Sequence, residues 1–287
     1  MNPSDYIKQR QILWALRHGK RLGGQYRNSC DPEQVDRGQK SFVFDLNDNL
    51  FEELSPETRL EFEAGDGGEL QGKMLAVNSS SAIAVNFFDY WRKRQLVAEI
   101  AKVILVPSSE ITGLRFEAKY SIHDQFVRPP NLDVVIEYSN SSPWKATAIE
   151  CKFSEPYGRR GGHGLKPVYL DHDEFWSDLP NLREIAVQVS PENTRFTTLD
   201  APQLIKHVLG LTKAYGKGGF RLLYLWYDVP GPEAVKHAEE IAEFSKHLGR
   251  DGVMFQSLTY QDVVLSLARN QRVKHEAFVD YLAERYL

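Results

Sequence analysis

The chain has 287 residues, 42% hydrophobic and 26% charged, a composition typical of a globular protein with a full core. Its net charge of −4, from 35 Lys and Arg against 39 Asp and Glu, excludes a polybasic protein that binds nucleic acid by charge alone. The two cysteines form no Cys-x-x-Cys pair, so neither a zinc ribbon nor a disulfide scaffold is expected. The sequence shows no secretory signal and no apolar run near the ~18 residues of a membrane span, which predicts a cytoplasmic protein.

Residues 1–75 are predicted to be an irregular N-terminal extension. One short helix is expected over residues 6–18, and the Gly, Pro and Asp residues after it break up regular structure. Residues 76–287 are predicted to form the main domain. It begins with a long helix, which starts at an N-cap among residues 78–81, continues through Val103 and ends before Pro107.

Three strands with short turns are predicted next, which favours an antiparallel meander. The strands are expected at about 114–122, 132–138 and 146–153. A polar, glycine-rich excursion over 158–180 separates them from a second half in which helices and strands alternate. In order, these are a helix after Asp200, a strand at 220–227, a helix at about 233–248, a strand at 253–258 and a helix after a capping box at Thr259. The pattern predicts an α/β fold with a mixed central sheet flanked by helices.

Two of the predicted strands carry charges inside apolar runs. Asp133 lies in one strand, and Glu150 and Lys152 lie two positions apart in the next. Side chains alternate across a strand, so Glu150 and Lys152 share a face, whereas Cys151 faces the core. If the strands pair as a hairpin, Asp133 and Glu150 converge into a pair of oxygen ligands suited to Mg²⁺. The alternative is a partly exposed salt bridge at a sheet edge.

Asp133 followed by Glu150-Cys151-Lys152 on successive strands, then a crossover helix and another strand, resembles the PD-(D/E)xK nuclease superfamily. The resemblance covers residues 78–268 and implies the restriction-endonuclease-like fold. It further implies that Asp133 and Glu150 bind Mg²⁺, for which Mn²⁺ substitutes, and that Lys152 assists the attacking water. One departure is that Pro130 precedes Asp133 by three positions instead of one.

Two segments, Asn78–Trp91 and Asn131–Tyr157, are similar to a bacterial group of restriction-endonuclease-like proteins. The superfamily often supplies a further metal-binding acid from its first helix, and Glu99 is the first candidate because it lies on an apolar stripe. In the alternative, Glu99 lies at the edge of that stripe and reaches solvent. Glu117, on the first strand, is the rival, although it could simply pair across the sheet.

Further residues are assigned to substrate binding. Glu155 follows the Lys152 strand closely enough to reach a metal or phosphate, and Gln203 and Lys206 occupy the crossover helix, where some superfamily members contact phosphate. In each case a solvated surface position is the alternative. The loop Gly158–Lys166 is interpreted as a flexible solvent loop, with a mobile phosphate-contacting loop as the alternative. Asp171–Glu174 is interpreted as the start of a helix, because it shows no metal-ligand spacing.

The sequence therefore predicts a Mg²⁺-dependent endonuclease that hydrolyses phosphodiester bonds of DNA, with a homodimer as one option. A catalytically silent module that binds nucleic acid or a protein partner is the main alternative, because a fold does not determine function. Intact Asp133, Glu150 and Lys152 argue against it. A third hypothesis is an enzyme that acts on a small phosphate ester, which a closed pocket would favour over an open groove.

Overall fold

The computed structural model describes residues 2–24, 40–65, 68–126, 128–158 and 164–287. Its helices are α1 (Pro3–Arg17), α2 (Pro56–Glu63), α3 (Ser80–Lys93), α4 (Val97–Val103), α5 (Pro180–Gln188), α6 (Ala201–Tyr215), α7 (Pro232–Arg250), α8 (Tyr260–Asn270) and α9 (Glu276–Tyr286). Its strands are β1 (Leu22–Gly23), β2 (Phe42–Val43), β3 (Ile111–Lys119), β4 (Asn131–Tyr138), β5 (Ala146–Lys152), β6 (Phe220–Trp226) and β7 (Met254–Thr259). Among the described helices, none has the length and apolar character needed to cross a membrane.

The five long strands form one sheet in the order β3-β4-β5-β6-β7. The pairs β3–β4 and β4–β5 are antiparallel, and β5–β6 and β6–β7 are parallel. Every residue of β5 and nearly every residue of β6 is buried, as expected for central strands covered on both faces. The sheet confirms the predicted α/β architecture, including the meander and the two strands that follow it.

The long helix predicted through Val103 is wrong, because the chain forms two helices with a break between α3 and α4. Gln95 has a left-handed backbone with φ of 57°. The N–H of Gln95 donates to Arg92 O at 3.0 Å, and the N–H of Leu96 donates to Trp91 O at 2.8 Å. These two bonds form a Schellman motif, the usual left-handed end of a helix. Glycine normally marks that position, so glutamine gave no signal for the break.

Three helices lie where the sequence predicts none. They are α2 in the N-terminal extension, α5 at the end of the glycine-rich excursion and α9 at the C-terminus. The predicted helix over residues 6–18 is confirmed as α1, and the capping box at Thr259 is present with Asp262 as its acidic partner.

The N-terminal helix is joined to the C-terminal one by buried polar contacts. The Gln11 side chain donates to Arg285 O at 3.1 Å, and Arg285 Nε donates to Gln11 Oε1 at 2.9 Å. Both residues are almost fully buried. The first helix of the extension therefore packs on the end of the chain, and the domain boundary near residue 75 stays a prediction.

Candidate active site

Three carboxylates lie side by side across the antiparallel half of the sheet. The register pairs Val134 with Ile149, so the next positions, Asp133 on β4 and Glu150 on β5, oppose each other. Glu117 on β3 lies opposite Asp133, because the residues on either side of the two are paired. Opposed residues share one face of a sheet, and neighbouring strands are about 4.8 Å apart. We call Glu117, Asp133 and Glu150 the acid row.

Glu150 is 1% exposed and lies between two nitrogen groups. Its Oε1 is 2.5 Å from Lys152 Nζ, and its Oε2 is 2.9 Å from Nε2 of His207. Each oxygen of Glu150 therefore lies against one nitrogen group. A carboxylate oxygen has more than one lone pair, so both oxygens can also contact a further electropositive group.

The charges of Glu150 and Lys152 support each other. Burial alone raises the pKa of Glu150, but Lys152 and His207 lower it to about 2. Burial alone lowers the pKa of Lys152, but the carboxylates of Glu150 and Asp133 raise it above its usual value. The pair is therefore a carboxylate and an ammonium at neutral pH.

Asp133 lies at the centre of the row and is partly exposed. Its Oδ2 accepts a hydrogen bond of 2.6 Å from the N–H of Cys151, which fixes the carboxyl group against β5. Burial and the charge of Glu150 raise the pKa of Asp133 well above its usual value. Cys151 itself is buried on the opposite face, as predicted.

Glu117 reaches the row from a strained backbone. Its φ is 52°, a left-handed conformation in the middle of a strand. Such a conformation costs a non-glycine residue on the order of 1–3 kcal/mol and concentrates at functional sites. Glu117 Oε2 accepts a bond of 3.2 Å from Asn131, and burial together with Glu69 and Glu150 raises its pKa to about 7.

Glu99 lies elsewhere. Its carboxylate is 3.2 Å from Lys102 Nζ and accepts a bond of 2.9 Å from Gln271 Nε2. The break at Gln95 places Glu99 on the short helix α4, with Leu96 as its N-cap and Val103 as its last residue. Of the two candidates for a third acid, the structure brings Glu117 beside Asp133 and leaves Glu99 at the contact of α4 with the segment after α8.

Helix α6 supplies the second side of the site. Asp200 caps its N-terminus by accepting from the N–H of Gln203, and Gln203 Oε1 accepts a bond of 2.8 Å from Lys152 Nζ. One turn later, His207 contacts Glu150. His207 was absent from the sequence-predicted site residues, although its spacing of four positions from Gln203 places both on one face of the helix.

The other two predicted substrate residues differ in their contacts. Glu155 Oε2 accepts from the N–H of Phe153 at 2.9 Å, and its charge contributes to the raised pKa of Lys152. Lys206 is half-buried on α6 and makes no hydrogen bond or ion pair with any residue that the structure describes. Residues 159–163 of the predicted flexible loop lie outside the described residues.

The donor set of the acid row fits a hard divalent cation. It offers three carboxylates on one sheet face, of which Glu150 is almost fully buried. Oxygen ligands are those that Mg²⁺ and Mn²⁺ prefer. Burial and mutual repulsion raise the pKa of Asp133 and of Glu117, so a cation would stabilise the charged form of both.

Glu117 is expected to make the protein less stable as the pH rises from about 4.5 to about 7. In this window the folded protein keeps a proton that the unfolded chain releases, so the free energy of unfolding falls with pH, by about 3 kcal/mol. Five groups face Glu117 or act on its charge, and they are Glu69, Lys73, Asn131, Asp133 and Glu150.

Urea unfolding at several pH values, without divalent ions, measures the effect. Glu117→Gln should flatten the pH dependence in this window and raise stability at pH 8. Glu137→Gln serves as the control, because it makes the same change on neighbouring β4 at a residue paired with Arg115. It should leave the pH dependence of the free energy of unfolding unchanged. An unchanged slope in Glu117→Gln would contradict the assignment of the buried proton to Glu117.

A protein-family model described as "Restriction Endonuclease associating with ARP" (REase-ARP) matches residues 14–287. The match includes the whole five-stranded sheet, the acid row and helix α6. Comparisons with curated proteins and with solved structures return no match.

Proposed function

Because the chain belongs to the REase-ARP family of restriction-endonuclease-like proteins, we propose that it is a metal-dependent nuclease that hydrolyses phosphodiester bonds of DNA. The proposal rests mainly on one observation: the acid row and the ammonium group of Lys152 lie next to each other on one face of the sheet. Glu150 and Lys152 are buried, charged and within 2.5 Å of each other, a costly arrangement that is typical of functional sites.

In this proposal Asp133 and Glu150 hold Mg²⁺ or Mn²⁺, and Glu117 is the third acid. A bound divalent ion supplies charge to the phosphate oxygens and makes water a better nucleophile. The ammonium group of Lys152 orients the attacking water and stabilises the negative charge that develops on the phosphate. Gln203 holds Lys152 in place, and His207 holds the Glu150 carboxylate from the helix side.

The exposed side of the site sets the direction from which substrate approaches. Glu150 is 1% and Lys152 is 8% exposed, whereas Asp133 and Glu117 are partly exposed. A phosphodiester therefore approaches over Asp133 and Glu117. The family description adds an association with ARP, and we include such a partner in the proposal as a component that acts together with the nuclease.

Cleavage of supercoiled plasmid, linear duplex and single-stranded DNA by the purified chain tests this function. Cutting is expected with Mg²⁺ or Mn²⁺, and it should stop with a chelator and in Asp133→Ala and Lys152→Ala. Glu137→Gln, on the same strand as Asp133, should cut like the wild type. DNA binding without cutting would instead support the catalytically silent module. The absence of both cutting and DNA binding would contradict the assignment to DNA.

Gln203→Ala is expected to reduce kcat by on the order of tenfold to a hundredfold, the usual cost of losing a residue that orients a functional group. The substitution removes the acceptor that holds Lys152 Nζ at 2.8 Å. The KM for DNA should change little, because the amide contacts Lys152.

Gln261→Ala is the matched control. It also removes glutamine hydrogen bonds, one of 2.7 Å from Nε2 to Asp228 O and one of 3.1 Å that Oε1 accepts from the N–H of Asp228, at a position outside the acid row. Steady-state cleavage rates for the two variants give the comparison, and equal loss of kcat in both would refute the positioning role of Gln203.

A further inference from the structure

A second group of metal-ligating side chains lies away from the acid row. His123, His172 and Glu174 each offer one ligand atom, and these atoms lie within 4.8 Å of one another. His123 comes from the connection between β3 and β4, whereas the other two come from the segment before α5. Residues 171–174 were predicted to start a helix because they show no metal-ligand spacing of their own, and His123 lies on a distant part of the chain.

Aromatic packing holds the two imidazoles close together. The ring centroids of His123 and His172 are 4.8 Å apart. His172 stacks on Phe175 at 4.7 Å, and His123 lies 5.8 Å from the same ring. Glu174 Oε1 is 3.0 Å from Nδ1 of His172. The two imidazole rings therefore pack against the apolar ring of Phe175, and apolar side chains around a metal site control solvent access to it.

The chemistry of the group favours zinc over magnesium. Two imidazoles and one carboxylate form a common ligand set for Zn²⁺, whereas Mg²⁺ prefers oxygen ligands alone. Ligand atoms around tetrahedral zinc are roughly 3.4 Å apart, given bonds of about 2.1 Å. All three ligand atoms lie within 4.8 Å of one another, and Glu174 Oε1 is 3.0 Å from His172 Nδ1. The side chain of Glu174 is 62% exposed, so it has room to adjust its position around an ion.

A cavity of about 330 Å³ adjoins the group and is lined by His123, Glu174, Thr212 and Lys213, among others. Thr212 Oγ1 is buried and has no hydrogen-bond partner within the described structure. A buried hydroxyl group without a partner costs free energy unless a ligand or water satisfies it. Three protein ligands also leave a fourth position open on zinc, as in catalytic rather than structural sites.

We propose that His123, His172 and Glu174 bind one Zn²⁺ ion whose open coordination position faces the cavity beside Thr212. The ion joins the β3–β4 connection to the segment before α5. None of these residues belongs to the acid row, so the proposal stands or falls independently of the nuclease function.

Zinc titration of the full chain by calorimetry, after treatment with a chelator, tests the site. Excess Mg²⁺ is present throughout so that it occupies the acid row. One Zn²⁺ per chain is expected, with binding at least about tenfold weaker in His172→Gln. Wild-type affinity is expected in Asp133→Asn and in His18→Gln, a matched change at a histidine that pairs with Glu284.

Glu174→Gln provides a second test in case the loss of His172 disturbs folding, because Glu174 is largely exposed. Zn²⁺ should raise the Tm of the wild type and of His18→Gln by mass action, and raise it less in Glu174→Gln. Absence of zinc binding in the wild type would overturn the proposal. So would wild-type affinity in both His172→Gln and Glu174→Gln, or loss of binding in Asp133→Asn.

Discussion

Replacing Lys152 with methionine is expected to lower the free energy of unfolding by about 3–5 kcal/mol and to abolish DNA cleavage. The Glu150 carboxylate, 1% exposed, would lose the ammonium group that lies 2.5 Å from its Oε1. Removal of one partner of a buried ion pair leaves an uncompensated buried charge, which lowers the free energy of unfolding by about 3–5 kcal/mol. Chemical denaturation at pH 7 measures the stability, and the plasmid assay measures the activity.

The double variant Glu150→Gln with Lys152→Met separates the loss of stability from the loss of DNA cleavage. When both charges are removed, a buried pair is often replaced at no cost in stability. The double variant should therefore regain most of the lost stability while remaining inactive. If it stays as unstable as Lys152→Met, packing around the lysine chain, and not the unpaired carboxylate, would explain the loss.

Replacing Asp133 with asparagine is expected to reduce cleavage by about a thousandfold or more without loss of stability. A metal ligand contributes several kcal/mol to transition-state stabilisation, and each 1.4 kcal/mol is about tenfold in rate. Burial and Glu150 disfavour the charged form of Asp133, so a neutral amide removes a repulsion from the folded state. Asparagine Oδ1 can still accept the N–H of Cys151.

Single-turnover cleavage and thermal unfolding of Asp133→Asn and Glu137→Gln check this result. Glu137 is on the same strand and forms a surface ion pair with Arg115, so its variant should keep both activity and stability. Cleavage by Asp133→Asn at the wild-type rate would remove Asp133 from the catalytic centre. A large loss of stability would show that the charge of Asp133 supports the fold.

Local patterns predicted the core of the sheet well. The charged residues in β4 and β5 interrupt apolar runs, and the alternation of side chains along a strand sufficed to place Glu150 and Lys152 on one face. The boundaries of four long strands followed from turn residues, which act over a few positions, whereas β3 begins and ends three residues before the predicted 114–122. The same local character explains why the capping box at Thr259 was recognised.

Features that depend on tertiary contacts were missed or were predicted only as candidates, as Glu117 and Gln203 were. The helix break uses Gln95 in a left-handed conformation, which glycine usually occupies, so the prediction of one helix through Val103 was wrong. Glu117 reaches the acid row through a backbone conformation that no local pattern indicates. His207 and Gln203 contact the strand residues only because α6 packs across β5, a contact that spans more than fifty positions of the chain.

The central claim is that Asp133 and Glu150 together hold a divalent ion, and Mn²⁺ binding tests it most directly. The loss of the free Mn²⁺ signal in electron paramagnetic resonance reports binding to the full chain, with His172→Gln as background to exclude the proposed zinc site. Binding is expected in this background and in Glu137→Gln, and it should be at least about tenfold weaker when Asp133→Asn is added. Equal Mn²⁺ affinity with and without the Asp133 carboxylate, or no binding at all, would contradict the account.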